Sequence, residues 1–336
     1  LSCGGRLQLL PSVLFSIQVF WCSTFILPVA VTKECGRIMR SFLWHWVGNV
    51  KKSGKVAWSR VCKPKKEGGL GIKNCRAWNQ AAIMKIGWDI CQKKESIWID
   101  WCYTVFLKET NLWAAKVTKN CSWSWRNVLN SKKLLAHKLL YEVGDGHSFS
   151  LWFDQWLCGD SIDDIYGGRV IHDSGLLRNA RVSSVIKEGM WDWPLTSPDL
   201  IDISNITTGI PLSNTTDRIH WLKKGGNFTI REAWNIISPQ SRAVEWWKVA
   251  WFPRCIPKHS FYVWLTFWEA HRTFDKLVMW GMVLSNICSF GCGQGESIDH
   301  LFFSCPFTAN VWNHFLGLFG FTRRPCGWQE ESAWCI

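Results

Sequence analysis

Three thiols and one imidazole lie within eighteen residues: Cys288, Cys292, His300 and Cys305, in the pattern C-x3-C-x7-H-x4-C. Thiolate sulfur and imidazole nitrogen suit zinc, which takes four such ligands in a tetrahedron. Two close ligand pairs joined by a short arm are the usual way a chain supplies them. Gly291, Gly293 and Gly295 fall inside the stretch and let the backbone turn sharply around an ion. The spacing points to Zn2+ held by all four side chains, a closed set with a structural role. Coincidence is the competing reading, because the chain has fifteen cysteines and some will fall close together.

The other cysteines are scattered and the total is odd, which fits buried free thiols in a reducing compartment, nucleus or cytoplasm, better than a disulfide scaffold of a secreted protein. The formal net charge is +13, and it is concentrated. Between Lys33 and Arg76 there are twelve Lys/Arg against two acids. Such a segment suits a polyanion, either nucleic acid or an anionic membrane surface. Lys51, Lys52, Lys55, Lys63, Lys65 and Lys66 are the candidate phosphate contacts here. Arg254, Lys258, Arg272 and Lys276 are the candidates near the cysteine–histidine stretch. The run Lys63-Pro-Lys-Lys-Glu-Gly-Gly-Leu-Gly71 lacks the Lys-Ser/Thr ending of a nucleotide P-loop. Its glycines could let backbone N–H groups approach a nucleic-acid phosphate, or it could be a plain exposed loop.

Leu7–Val31 carries no charge, which suits a membrane span or a pair of buried helices interrupted at Pro11 and Pro28. Helices are expected from Thr32 to about Trp46, with Ile38, Phe42 and Trp46 on one face, and from Asn74 to Cys91 with an amphipathic pattern. Val143-Gly-Asp-Gly146 predicts a hairpin between 139–143 and 148–153. Lys-Lys-Gly-Gly-Asn predicts another between 219–221 and 228–230. Residues 158–216 read as a loose connector. Pro257 opens a helix with Phe261, Trp264, Leu265 and Trp268 on one face, and Pro306 opens a last helix. The fold class is mainly α with small β-hairpins. A helical N-terminal part spans 1–115, an aromatic hairpin block and connector 116–216, a small zinc-stapled domain 217–320, and a tail 321–336.

Taken together, these blocks resemble the C-terminal part of plant non-LTR (LINE-type) retrotransposon reverse transcriptases, ending in their zinc-binding module. Ser41-Phe-Leu-Trp44, Lys55-Val-Ala-Trp58, Pro64–Gly71 and Trp78-Asn79 are similar to the family's thumb-side motifs. Val143–Gly146 and Trp152-Phe-Asp-Gln-Trp156 match its next block. Glu296-Ser-Ile-Asp-His300-Leu-Phe-Phe-Ser-Cys305-Pro-Phe, the most specific run, matches the zinc module. The resemblance implies Cys288, Cys292, His300 and Cys305 as ligands, although the family more often has two residues between its first cysteines. It also implies RNA or DNA as partner and favours packed helices over a membrane span at 7–31. The family's polymerase carboxylates belong to an aromatic-x-Asp-Asp. Ser161-Ile-Asp163-Asp164 has serine at the aromatic position and follows the thumb segment, so it is not that motif. No catalytic residue is assigned, and the chain is expected neither to polymerise DNA nor to cleave RNA by itself. A membrane-attached interaction protein and a decayed element copy are the alternatives.

Overall fold

The computed structural model describes residues 1–44, 54–108 and 110–336. Helices along the chain include α1 (Cys3–Thr24), α2 (Val29–Trp44), α3 (Cys75–Cys91), α4 (Trp123–Leu135), α5 (Pro198–Thr207), α6 (Ile230–Ile237), α7 (Pro257–Phe267), α8 (Phe274–Met279), α9 (Pro306–Leu318) and α10 (Trp328–Cys335). The strands are β1 (Leu139–Glu142), β2 (Ile186–Lys187), β3 (Met190–Trp191) and β4 (Arg218–Trp221). The protein is therefore mainly α with small β pairings. Contacts divide it into unit 1 (Leu1–Gln18, Ala30–Asn74 and Gln240–Ile336) and unit 2 (Val19–Val29 and Cys75–Pro239). These units interleave the four segments read along the sequence.

Unit 1 is built around α7. Pro257 starts it with a preset φ and no wasted N–H, and Phe261, Trp264 and Leu265 are buried along one face. Trp44 packs on Phe261 and Trp264 at 6.0 and 6.5 Å between ring centroids. Gly4 brings α1 against the start of α7; a Cβ there would sit 2.7 Å from the Lys258 Cα. The glycine-rich run 63–71 is folded into this core. The carbonyl of Gly68 accepts from the indole N–H of both Trp264 and Trp268, each at 2.8 Å. The N–H groups of Gly68, Gly69 and Gly71 go to the carbonyls of Lys65, Pro64 and Lys63. Those donors are spent internally, so the expectation that they could reach a phosphate is overturned.

Unit 2 is built around α3, which is buried on all sides rather than amphipathic. Ile83 and Ile90 join Trp125, Val128 and Leu129 of α4 in one cluster, and Trp88 meets Trp221 and Phe228. Asn79 explains its place in this helix. Its amide donates to the carbonyls of Cys22 and Phe25 and accepts from Leu27 N–H, satisfying groups that the end of α1 leaves open.

Several local expectations differ from the structure. β1 pairs antiparallel with β4, Leu139 opposite Trp221 and Glu142 opposite Arg218, and not with 148–153. The cause is Asp217, whose carboxylate accepts from the N–H of Gly144, Gly146 and Ser148 at 2.7–2.9 Å and turns that segment away. The expected strand at 228–230 is the start of α6. Thr229 caps it, accepting from Glu232 N–H while its hydroxyl donates to the Glu232 carboxylate. Residues 158–216 hold α5, shorter helices and the β2–β3 hairpin around buried Val170, Val182, Trp193, Leu200 and Ile203. In α2 the buried face is Thr32, Met39 and Leu43, whereas Ile38 is exposed; the expected Trp46 lies outside the described residues.

Candidate metal centre

Cys288 and Cys292 sit on a knuckle closed by backbone bonds. Cys288 N–H donates to Gln294 O (2.8 Å), Gly291 N–H to Cys288 O (3.0 Å), and Glu296 N–H to Asn286 O (2.7 Å). Gly291 and Gly293 adopt φ of 72° and 80°, a left-handed conformation that side chains disfavour. Gly295 serves differently: a Cβ there would press on the Asn286 side chain at 2.9 Å. His300 opens the π-turn His300–Ser304, and Cys305 stands at the N-cap of α9.

The four ligand atoms of Cys288, Cys292, His300 and Cys305 lie within 4.8 Å of one another. Cys288 Sγ and Cys305 Sγ are 3.9 Å apart, close to the roughly 3.8 Å edge of a tetrahedron with Zn–S bonds of about 2.3 Å. Cys292 Sγ and His300 Nε2 are 3.1 Å apart, a hydrogen-bond distance that a cation would open slightly. Cys288, His300 and Cys305 are buried and Cys292 is half-buried. Burial pushes the Cys288 thiol up. Burial acts on Cys305 too, but the backbone N–H groups of Phe307 and Thr308 in the first turn of α9 outweigh it and hold that thiol below the usual cysteine range. The donor set fits a thiophilic cation, and the three-residue gap between the first two cysteines does not prevent their convergence.

Glu296 braces the knuckle. This buried carboxylate accepts from Phe274 N–H at the start of α8 (3.0 Å) and from Ser289 N–H (3.1 Å), next to Cys288. It was visible in the sequence as part of the family block, but its role was not. Asp299, beside His300, accepts from Trp328 N–H at the start of α10, and Trp328 stacks on Phe303. Buried Glu331 of α10 takes both Arg323 N–H donors, Trp312 Nε1 (3.0 Å) and Cys326 N–H (2.8 Å). The residues expected as a tail thus include a helix fastened to the knuckle's neighbours. The Glu330 carboxylate accepts from Gly327 N–H at 3.0 Å, so a glutamate three residues after a glycine was the available signal.

The basic candidates divide. Lys55, Arg272 and Lys276 line one groove of about 660 Å3 with Trp268, Trp280 and His271. Burial lowers the Lys55 pKa, and Arg272 adds repulsion. Lys276 donates to the Glu269 carbonyl. Lys65 lies over the Trp251 ring at 4.4 Å and Lys66 over Trp247 at 5.7 Å. Lys63 is half-buried and donates to Ser241 Oγ at 2.7 Å. Arg254 and Lys258 are exposed outside the groove. Lys51 and Lys52 lie outside the described residues. Asp163 and Asp164 belong to a short helix capped by Ser161, whose hydroxyl donates to Asp164 at 2.7 Å, so this acid pair has a local structural use. Helix α1 is 22 residues long and apolar enough to cross a membrane, with Ile17, Phe20 and Trp21 exposed.

Residues 228–312 match a family described as zinc-binding in reverse transcriptase. The chain is 27% identical over 333 residues to a putative ribonuclease H protein of Arabidopsis thaliana, covering 93% of this chain and 52% of that protein. It is also 26% identical over 147 residues to an uncharacterized mitochondrial protein of the same plant, covering 44% of this chain and 96% of that protein. The chain spans about half the length of the first of these relatives.

Proposed function

From the premise that residues 228–312 form a reverse-transcriptase zinc-binding region in a retrotransposon-related plant chain, we propose that the protein binds one zinc ion and, through unit 1, RNA or DNA. The observation that carries the zinc reading is the convergence of four ligand atoms within 4.8 Å. Cys288, Cys292, His300 and Cys305 fill the tetrahedron, so the ion acts as a staple and not as a Lewis acid. The nucleic acid lies along the groove of Lys55, Arg272 and Lys276, with Lys65 and Lys66 extending the positive surface. Trp280, half exposed, offers a face on which a base can stack. The chain acts as a non-catalytic part of a LINE-type element enzyme, without polymerase or ribonuclease activity of its own, in nucleus or cytoplasm.

Metal content per chain tests the first half: one zinc is expected, lost in His300→Ala, and a folded metal-free protein would sink it. Affinity for single-stranded RNA and DNA against salt tests the second. Each phosphate contact steepens the fall of log affinity with log salt by about 0.7 for a single strand, so a flat response counts against it. The exposed apolar flank of α1 favours a second reading, attachment to a membrane. Floatation with anionic vesicles separates the two: a chain that stays with RNA and not with vesicles excludes it.

A further inference from the structure

Unit 2 contains a cavity of about 610 Å3 that the zinc region does not involve. Its floor is Asp154, Phe149 and Leu112, all buried. Its rim carries four cations, Lys93, Lys108, Arg178 and Arg181. Among the described residues none of the four pairs with a carboxylate. Asp154, the one acid in the lining, is already occupied: Ser150 N–H donates to it at 2.7 Å and Asn111 Nδ2 at 2.9 Å. Lys93 and Arg181 instead share a neutral acceptor, the Ser148 carbonyl, each at 3.2 Å. Two like charges held on one carbonyl repel; burial first and that repulsion second lower the Lys93 pKa, against the pull of the nearby Asp154 and Asp217 carboxylates. An anion between them would relieve the repulsion and use donors of strong charge-assisted bonds.

A second group defines the rest of the ligand. The Arg178 guanidinium lies over one face of Phe153, 4.9 Å from the ring centroid, and the Arg178 side chain is exposed. A guanidinium so backed presents its other face to a flat ring, the way single-stranded bases are held. The volume lies in the range of small-ligand sites, and apolar walls with a few placed charges are their usual composition.

We propose that this cavity binds a nucleoside monophosphate unit, its phosphate between Lys93 and Arg181 and its base on Arg178. The unit is either a free nucleotide or the 5′-phosphorylated end of a nucleic-acid strand. This site is separate from the zinc region and does not depend on the reading given for it.

Calorimetric titration of the full chain with AMP, adenosine and inorganic phosphate tests the assignment. AMP should saturate one site, with adenosine, which lacks the charge-assisted contacts, weaker by about tenfold or more, and phosphate, which lacks the base contact on Arg178, weaker severalfold. Arg178→Gln/Arg181→Gln should weaken AMP by about tenfold or more while Tm is kept. Lys108→Gln, an exposed rim change, serves where the double variant does not fold and should weaken AMP severalfold. Cys292→Ser should leave AMP binding as it is, which separates this site from the metal centre. A 5′-phosphorylated oligothymidylate that displaces AMP assigns a strand end as the source; one that does not assigns a free nucleotide. AMP binding no better than phosphate, or unchanged in the folded double variant and in Lys108→Gln, overturns the proposal.

Discussion

Two glycine-rich turns in this molecule solve the same problem in opposite ways. At Gly144–Ser148 three backbone N–H groups point inward, and the chain itself supplies the countercharge in Asp217. At Cys288–Gly295 the convergent groups are ligand atoms from four side chains, and the chain supplies no cation for them. Glu296 braces the second turn from behind but faces the backbone of Ser289 and Phe274, not the thiols. The first turn is complete as a folded peptide. On the reading proposed above, the second is complete only with an ion, so its stability should be coupled to metal concentration and its rigidity to occupancy.

The largest effect that would break this contrast is metal removal. Chelation should cost the knuckle on the order of 10 kcal/mol of metal-linked stability. Amide exchange should then accelerate across 286–305 and leave β1 and β4 protected. Equal protection with and without chelator would mean that the second turn is as self-sufficient as the first. Next is Asp217→Ala, which strands three N–H donors and should cost about 3–5 kcal/mol in urea unfolding. A loss below about 1 kcal/mol would show that water replaces the carboxylate. Glu296→Ala strands two backbone donors and should cost about 2–4 kcal/mol while zinc still binds one per chain, if bracing and ligation are separate tasks.

A pH effect follows in size. Burial, opposed by the Ser150 N–H, lifts the Asp154 carboxyl to about 6. Its unfolded value is near 3.9. Between those values the folded state holds the proton more often than the unfolded one, so stability falls as pH rises through the window. The difference between wild type and Asp154→Asn should therefore shift by about 2 kcal/mol between pH 4 and pH 7, less than two full pKa units at 1.36 each because the unfolded carboxyl is already half-ionised at pH 4. A pH-independent difference refutes the burial argument. The smallest effect is Lys65→Ala, which loses a cation–π contact worth about 0.5–1 kcal/mol. It should lower the salt slope of RNA binding by roughly 0.7. An unchanged slope places the strand elsewhere.

The sequence displayed the four candidate ligands because, among fifteen cysteines, only this stretch packs three thiols and an imidazole into eighteen residues. It displayed α7 because Pro257 and the spacing of Phe261, Trp264 and Leu265 are local signals. It misled wherever a partner lay far along the chain. Val143–Gly146 reads as a hairpin turn until Asp217, some seventy residues on, takes its N–H groups. The pairing of β1 with β4 is equally remote. Thr229 and Glu232 were a local signal missed, because Phe228 and Ile230 beside Thr229 looked like a strand. The even burial of α3 was hidden by its polar residues: Asn79 is buried, yet it serves the end of another helix. The lysines showed charge but not destination, and only the structure separates the groove of Lys55 and Arg272 from Lys63, which holds Ser241.

The pair of hydrogen bonds that Trp264 and Trp268 donate to the Gly68 carbonyl has a consequence for how the chain is made. Donor and acceptor are separated by 196 and 200 positions. Unit 1 takes segments from both ends, whereas unit 2 is closed by residue 239. A ribosome would therefore expose all of unit 2 before α7 emerges, and Gly68 would wait for its partners through that interval. Contacts of such separation form late because loop closure must come first. The inserted unit should acquire protection early in a pulse-labelled synthesis, with the outer one completed only after the last helices emerge. A fragment cut to 228–312 would carry both indoles and no Gly68.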